Sequence, residues 1–154
     1  IKKAHEASYL DIADWLSANG ASPRKDLAEL WRRMVFNILI SNTDDHLRNH
    51  SFLLCEDGWH LAPLYDVNPN PIGEYLSLGI TEEDSALDIH LAMDTAEFYQ
   101  LSSQDATKTI AAMATIIQRD WKDLARQYKI PERSIERMEP AFQIAKELKT
   151  TTAL

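Results

Sequence analysis

The chain has 154 residues, 45% hydrophobic and 26% charged, the balance of one soluble globular domain (1–154) large enough to bury a core. Twenty-four acidic side chains against sixteen Lys and Arg leave a net charge of −8, which excludes a broad cationic surface for nucleic acid or an anionic membrane. No run of about 20 apolar residues is present, so no segment reads as membrane-spanning, and no segment reads as a signal peptide. Cys55 is the only cysteine, which excludes an internal disulfide and fits a reducing cytoplasm; its place in an apolar run predicts a buried packing role. The chain opens on Ile1-Lys2-Lys3 rather than Met, which suggests a piece of a longer protein.

In chain order, Ser8 to Asn19 reads as a short helix. Ser8 is its cap, Ile12, Trp15 and Leu16 share a face, and Gly20 is its stop. Ser22-Pro23 then has the form of a cap and first turn. The helix after it carries the strongest periodic signal, with Leu27, Leu30, Trp31, Met34, Val35 and Ile38 on one face. It runs into the polar loop 41–50. Ser51–Cys55 and Trp59–Leu64 read as strands of a hairpin joined by Glu56-Asp57-Gly58, with His60 on the wet face. Pro63, Pro69 and Pro71 make the following segment extended and irregular. Tyr75–Ile80 is a candidate strand, and Leu87–Tyr99 a helix with Leu87, Leu91, Thr95 and Phe98 on one side. Ser102 caps a long helix whose expected core face is Ile110, Met113, Ile117, Trp121, Leu124 and Tyr128. Pro131 breaks it and starts another, with Ile135, Met138, Phe142, Ala145 and Leu148 inward, before a frayed tail at Thr150–Leu154. The expected fold class is mainly α (α+β), helical with one small hairpin.

The loop Ser41–His50 concentrates two carboxylates, two imidazoles, two carboxamides and a guanidinium between apolar flanks at Met34–Ile40 and Phe52–Leu54. Asp44 and Asn49 form Asp-x-x-x-x-Asn, and Asp66 lies seventeen residues on, across the hairpin. Phosphoryl transfer uses such a set: one carboxylate orients the attacking hydroxyl, while a carboxamide and a second carboxylate hold magnesium against nucleotide phosphates. Asp and Asn are also ordinary turn residues, and on spacing alone a solvated turn is the simpler reading. Asp45 has no evident role and is expected to face solvent.

The stretch Phe36–Phe52, with its core Asn42-Thr43-Asp44-Asp45-His46-Leu47-Arg48-Asn49, closely resembles the catalytic-loop signature of HipA-like kinases. Leu61-Ala62-Pro63-Leu64-Tyr65-Asp66-Val67-Asn68-Pro69 resembles the metal-binding segment of that family, and the helical remainder resembles its C-terminal domain. The resemblance implies a helical protein-kinase-like C-lobe whose hairpin carries the catalytic and metal-binding loops. It implies a serine/threonine kinase that passes the γ-phosphate of ATP to a protein hydroxyl, with Asp44 as catalytic aspartate and Asn49 and Asp66 holding Mg2+ and so the nucleotide. His46 takes a position from which it contacts phosphate or holds the loop by a hydrogen bond, and Arg48 supplies a basic group. A small DNA-binding antitoxin is a partner the family implies, with the parent as toxin, alongside a protein substrate. Ser41 departs from the family's frequent glycine. No Gly-rich loop or Val-Ala-Ile-Lys-type strand is present, which places the nucleotide-covering N-terminal lobe outside this chain. The isolated chain is therefore expected neither to bind ATP tightly nor to transfer phosphate.

Two other readings compete. His46-x-x-x-His50 has helical metal-ligand spacing, but Leu47 stands where a zinc protease needs Glu. A non-catalytic helical interaction module, or a degenerate kinase lobe, would act by binding alone; the intact Asp44, Asn49 and Asp66 argue against degeneration. Glu82, Glu83 and Asp84 offer an acidic patch to a partner, or a plain solvated loop. His5 and His90 have no partner the sequence identifies.

Overall fold

A computed structural model describes residues 7–151, the last three by backbone alone. Ile1 to Glu6, with His5 and the two lysines, lie outside the described residues, as does the end of the tail. Helix α1 spans Tyr9–Asn19 and begins in a reciprocal cap. Ser8 Oγ accepts the Asp11 N–H at 3.3 Å, and the Asp11 carboxylate accepts the Ser8 N–H at 2.7 Å. Gly20 ends the helix with its N–H on Leu16 O at 2.9 Å. A Cβ at Gly20 would sit 2.6 Å from that oxygen, so close approach is what demands glycine here.

Helix α2, Pro23–Leu39, is the axis of the core. Leu27, Leu30, Trp31, Met34, Val35 and Ile38 are all fully buried, as the periodicity predicts. Full burial of each such side chain contributes about 1.5–3 kcal/mol. Ser22 precedes α2 without a side-chain capping bond; its carbonyl accepts the Asp26 N–H at 3.0 Å instead. Tyr9, Ile12, Ala13 and Leu16 of α1 belong to the same core.

The hairpin pairs β1, Phe52–Cys55, with β2, Gly58–Leu61, antiparallel, in register Phe52↔Leu61 to Cys55↔Gly58. Gly58 has φ +126°, a backbone conformation reserved for glycine. Trp15 of α1 stacks on Phe52 at 4.0 Å between ring centres and meets Trp59 edge-on at 6.0 Å. The Ala21 N–H donates to Trp59 O at 2.8 Å, which fastens β2 to the α1–α2 junction. Only the base of the hairpin reaches the core, so Leu53, Leu54 and Cys55 are exposed. The buried role expected of Cys55 is thereby corrected. His60 also departs from expectation: it is half-buried between Asp57 and Asp26.

Residues 62–70 are irregular, as the prolines predict. Tyr75–Ile80 is not a strand, although Leu76, Leu78 and Ile80 alternate inward and are buried. Its N–H groups find acceptors one at a time, Leu76 on Ser85 O, Leu78 on Asp45 O and Gly79 on Ala7 O, so no ladder forms. The expected helix over Leu87–Tyr99 is two pieces, α3 at Ile89–Asp94 and a 3₁₀ turn at Ala96–Tyr99. Its buried residues are Ile89, Ala92, Thr95, Ala96 and Tyr99, while Phe98 is exposed. Trp31 Nε1 donates to Ala92 O at 2.9 Å and fixes that orientation.

Helix α4, Ser103–Gln127, is capped by Ser102 and buries Ala106, Ile110, Ala114 and Ile117. Its last turns run past the core, so Leu124 and Tyr128 are exposed rather than inward. Pro131 precedes α5, Glu132–Met138; a 3₁₀ turn at Glu139–Phe142, containing Pro140, separates it from α6, Gln143–Thr151. Trp121 of α4 stacks on Phe142 at 4.1 Å. The architecture is mainly helical with one small hairpin, and no helix among the described residues is long and apolar enough to cross a membrane.

Candidate active site

The polar loop leaves α2 through an abrupt reversal. Ser41 adopts φ +53°, the left-handed region that favours glycine, and Asn42 N–H returns to Asn37 O at 2.8 Å. Residues 70–78 then brace the loop from outside. Asn70 N–H donates to Ser41 O at 3.1 Å, and Asn70 Nδ2 donates to Thr43 Oγ1 at 2.7 Å. Ser77 gives both its N–H and its hydroxyl to Thr43 O, at 3.0 and 2.8 Å. Gly73 lies flat on Thr43, where a Cβ would come within 2.3 Å of its methyl group.

Within this frame the consecutive carboxylates have opposite environments. Asp44 is exposed, and no hydrogen bond ties its side chain to another described residue. Asp45 is 2% exposed and accepts from the Tyr9 hydroxyl and from His50 Nε2 at 3.1 Å. Asn37 Nδ2 donates to Tyr9 Oη at 3.0 Å, and Asn42 Nδ2 donates to Asn37 Oδ1 at 3.1 Å. A buried chain of polar groups thus runs Asn42–Asn37–Tyr9–Asp45–His50 beneath the loop. Burial, reinforced by the Asp45 charge, pushes the Tyr9 phenol well above its ordinary range and keeps it neutral as a donor. The solvent-facing role expected of Asp45 is overturned. Its partner Tyr9 lies 36 residues earlier, so no local spacing reveals it. One signal was available: Asn37 stands inside the apolar run 34–40, and a carboxamide buried there needs a polar partner.

Asn49 and Asp66 are brought together. Asn49 Nδ2 donates to Asp66 Oδ2 at 2.8 Å, while Asn49 Oδ1 accepts the His46 N–H at 3.1 Å. Asn49 is 4% exposed, whereas Asp66 is open to solvent, has φ +55°, and accepts from Asn68 Nδ2 at 3.1 Å. Further bonds help hold the Asp66 segment in place. Arg33 Nη1 of α2 donates to Ala62 O at 2.8 Å, and the Tyr65 hydroxyl donates to Arg48 O at 2.7 Å. The His46 ring is half-buried with Nδ1 unpartnered, so it is the His46 backbone, held by Asn49, that secures the loop. Arg48 is exposed beside it. Among the described residues His46 and His50 belong to no group of three metal-capable side chains, and His50 lies buried against Asp45 beneath the loop. Of the acidic group at 82–84, Glu82 and Glu83 are exposed, and Asp84 Oδ1 accepts the Ala86 N–H at 3.0 Å to close a turn.

The fold and site define a helical domain in which a hairpin brings a carboxamide and a carboxylate, Asn49 and Asp66, into contact beside the polar loop. A family model for the HipA-like C-terminal domain matches residues 1–137, and the chain belongs to that family. A Sinorhizobium fredii protein named "Putative kinase Y4mE" is 33% identical over 60 residues, 39% of this chain and 14% of that protein. A Haemophilus influenzae protein named "Putative kinase" is 35% identical over 68 residues, 42% of this chain and 20% of that protein. The chain therefore spans a fifth or less of these relatives. A chain from the Shewanella oneidensis MR-1 complex of HipA, HipB and operator DNA shares the fold, with a TM-score of 0.73 at 15% identity over 94% of this chain and 38% of that one.

Proposed function

We propose that this chain is the catalytic-loop lobe of a HipA-like serine/threonine kinase, in which Asp44 orients a protein hydroxyl for attack on the γ-phosphate of ATP. The observation that carries the reading is the 2.8 Å pairing of Asn49 with Asp66 across the hairpin, with Asp44 exposed five residues before Asn49. No described residue hydrogen-bonds to the Asp44 side chain, and its exposure leaves the carboxylate open to a substrate hydroxyl. Asn49 Oδ1 and the Asp66 carboxylate are hard oxygen donors of the kind magnesium takes, and Asn49 Oδ1 retains a lone pair beyond the His46 N–H. Mg2+ held there would offset charge on the nucleotide phosphates. His46 and Arg48 lie on the same loop as candidates for phosphate contact. The names of the two relatives support kinase chemistry, and the HipB complex of the structural neighbour supports a small DNA-binding antitoxin as partner.

The test is made in the full-length protein. Asp44→Asn is expected to lower phosphate transfer by about 10²–10⁴-fold, the usual worth of a general base, with ATP affinity nearly unchanged. Asp66→Asn is expected to weaken magnesium-dependent nucleotide binding. Near-normal transfer by both variants would overturn the assignment of these residues, and no transfer by the full-length parent would leave a binding module as the function.

A further inference from the structure

The tip of the hairpin, remote in role from the Asp44 loop, gathers a second set of chemically active groups. Cys55 closes β1, Asp57 lies in the two-residue turn, and His60 stands on β2. One ligand-capable atom from each lies within 4.8 Å of the others. The three donors are a thiol, a carboxylate and an imidazole, brought together by an antiparallel register that sets Cys55 opposite Gly58. A tetrahedral zinc ion at about 2.0–2.3 Å from each donor holds them about 3.5 Å apart, so exposed Asp57 and Cys55 need only small rotations to close on one ion.

A further feature comes from beneath the hairpin. His60 Nε2 faces Asp57 Oδ1 at 3.0 Å, while Nδ1 faces Asp26 Oδ2 at 3.5 Å. Asp26 is 5% exposed and is fixed by the Leu61 N–H at 3.3 Å. A buried carboxylate behind the far nitrogen of an imidazole is the outer support that orients histidine ligands toward a metal. The backbone below is stiff as well: Trp59 O is bonded to Ala21 N–H, and a Cβ at Gly58 would approach Ala21 Cβ to 3.1 Å. The groups are thus presented by a preorganised turn rather than a loose loop.

We propose that Cys55, Asp57 and His60 bind one thiophilic divalent cation, zinc being the ion this donor set suits, with Asp26 positioning His60 from behind. Coordination forms bonds from Cys55 Sγ, His60 Nε2 and an Asp57 oxygen; the Cys55 thiol proton leaves to solvent, and water completes the fourth position. Magnesium is a poor competitor there, because it prefers oxygen donors and keeps its own water. The site is separate from Asn49 and Asp66, so the inference does not depend on the kinase reading.

The probe is Co2+, followed by Zn2+ competition, on the full-length protein stripped of metal by chelator. The expected result is a thiolate-to-cobalt charge-transfer absorption at one equivalent, displaced by Zn2+ and not by Mg2+. Cys55→Ser should abolish that absorption and weaken Zn2+ binding by more than about 100-fold. Asp26→Asn should keep the absorption but weaken binding by about 10–100-fold, the usual effect of losing an outer partner. Cys55→Ser and Asp57→Ala change exposed side chains, so circular dichroism should match the parent. If the parent shows no thiolate absorption, or if Cys55→Ser and Asp57→Ala both bind Zn2+ as the parent does, the proposal is overturned.

Discussion

Asp44 and Asp45 are neighbours of identical chemistry, and the structure assigns them opposite energetic roles. Asp45→Ala removes the acceptor of two buried donors, the Tyr9 hydroxyl and His50 Nε2. Tyr9 would keep the bond it receives from Asn37 but would have nowhere to donate. The His50 ring would lose its hydrogen-bond acceptor among the described residues, since its Nδ1 has none and its side chain is 1% exposed. Each orphaned buried group costs about 1–3 kcal/mol, so the two sum to about 2–6 kcal/mol. Removing a carboxylate that was itself costly to bury offsets part of this, which leaves a net loss of about 2–4 kcal/mol. That is a large fraction of the about 5–15 kcal/mol that holds a typical domain folded. Asp45→Asn retains one acceptor oxygen and should lose less. Asp44→Ala, at an exposed side chain that bonds no described residue, should change stability by less than about 0.5 kcal/mol. Urea unfolding followed by tryptophan fluorescence and near-ultraviolet circular dichroism measures all three. Equal costs at 44 and 45, or a cost below about 1 kcal/mol for Asp45→Ala, would refute the buried-network argument.

Gly73→Ala should disturb the loop without touching its charged groups. The new methyl would displace Thr43, whose hydroxyl and carbonyl are both already bonded, at a cost of about 1–3 kcal/mol, with amide chemical-shift changes centred on residues 43–45. Alkaline unfolding should expose the buried phenols. Tyr9 and Tyr99 are both pushed above 10.0, mainly by burial, so below about pH 10 they are neutral in both folded and unfolded chains and leave stability flat. Above pH 10 the unfolded chain releases these protons first and stability falls; Tyr9→Phe should make that fall shallower in a pH series of urea midpoints.

The reach of the sequence follows from the range of each interaction. The α2 stripe was legible because its spacing is local and every apolar residue on it meets the same core. The pairing of Asn49 with Asp66 was legible because a hairpin brings its two ends together whatever surrounds it. Asp45 was not, because nothing near it distinguishes a bonded carboxylate from a solvated one; Tyr9 arrives only when α1 docks on α2. Cys55 misled for a related reason. An apolar run in a two-stranded hairpin has one face against the protein at best, and here the tip extends beyond it. Leu124 and Tyr128 keep helical spacing past the point where the neighbours of α4 end, so periodicity continues after burial stops. Tyr75–Ile80 shows the converse: its alternation was real, but a strand needs a continuous partner, and its acceptors come from separate segments.

The bonds made by α2 set how the site is able to move. Asp26 in its first turn holds Leu61, Arg33 at mid-length holds Ala62, and Asn37 near its end holds the chain beneath the polar loop. One helix therefore acts as a splint for both halves of the candidate site. The ends of the loop and of the hairpin, at Asn42, Leu61 and Ala62, cannot part far without breaking bonds to it. Under the proposed kinase reading, closure over a nucleotide would be a swing of another body against this block, with Asn49 and Asp66 already paired before any ligand arrives.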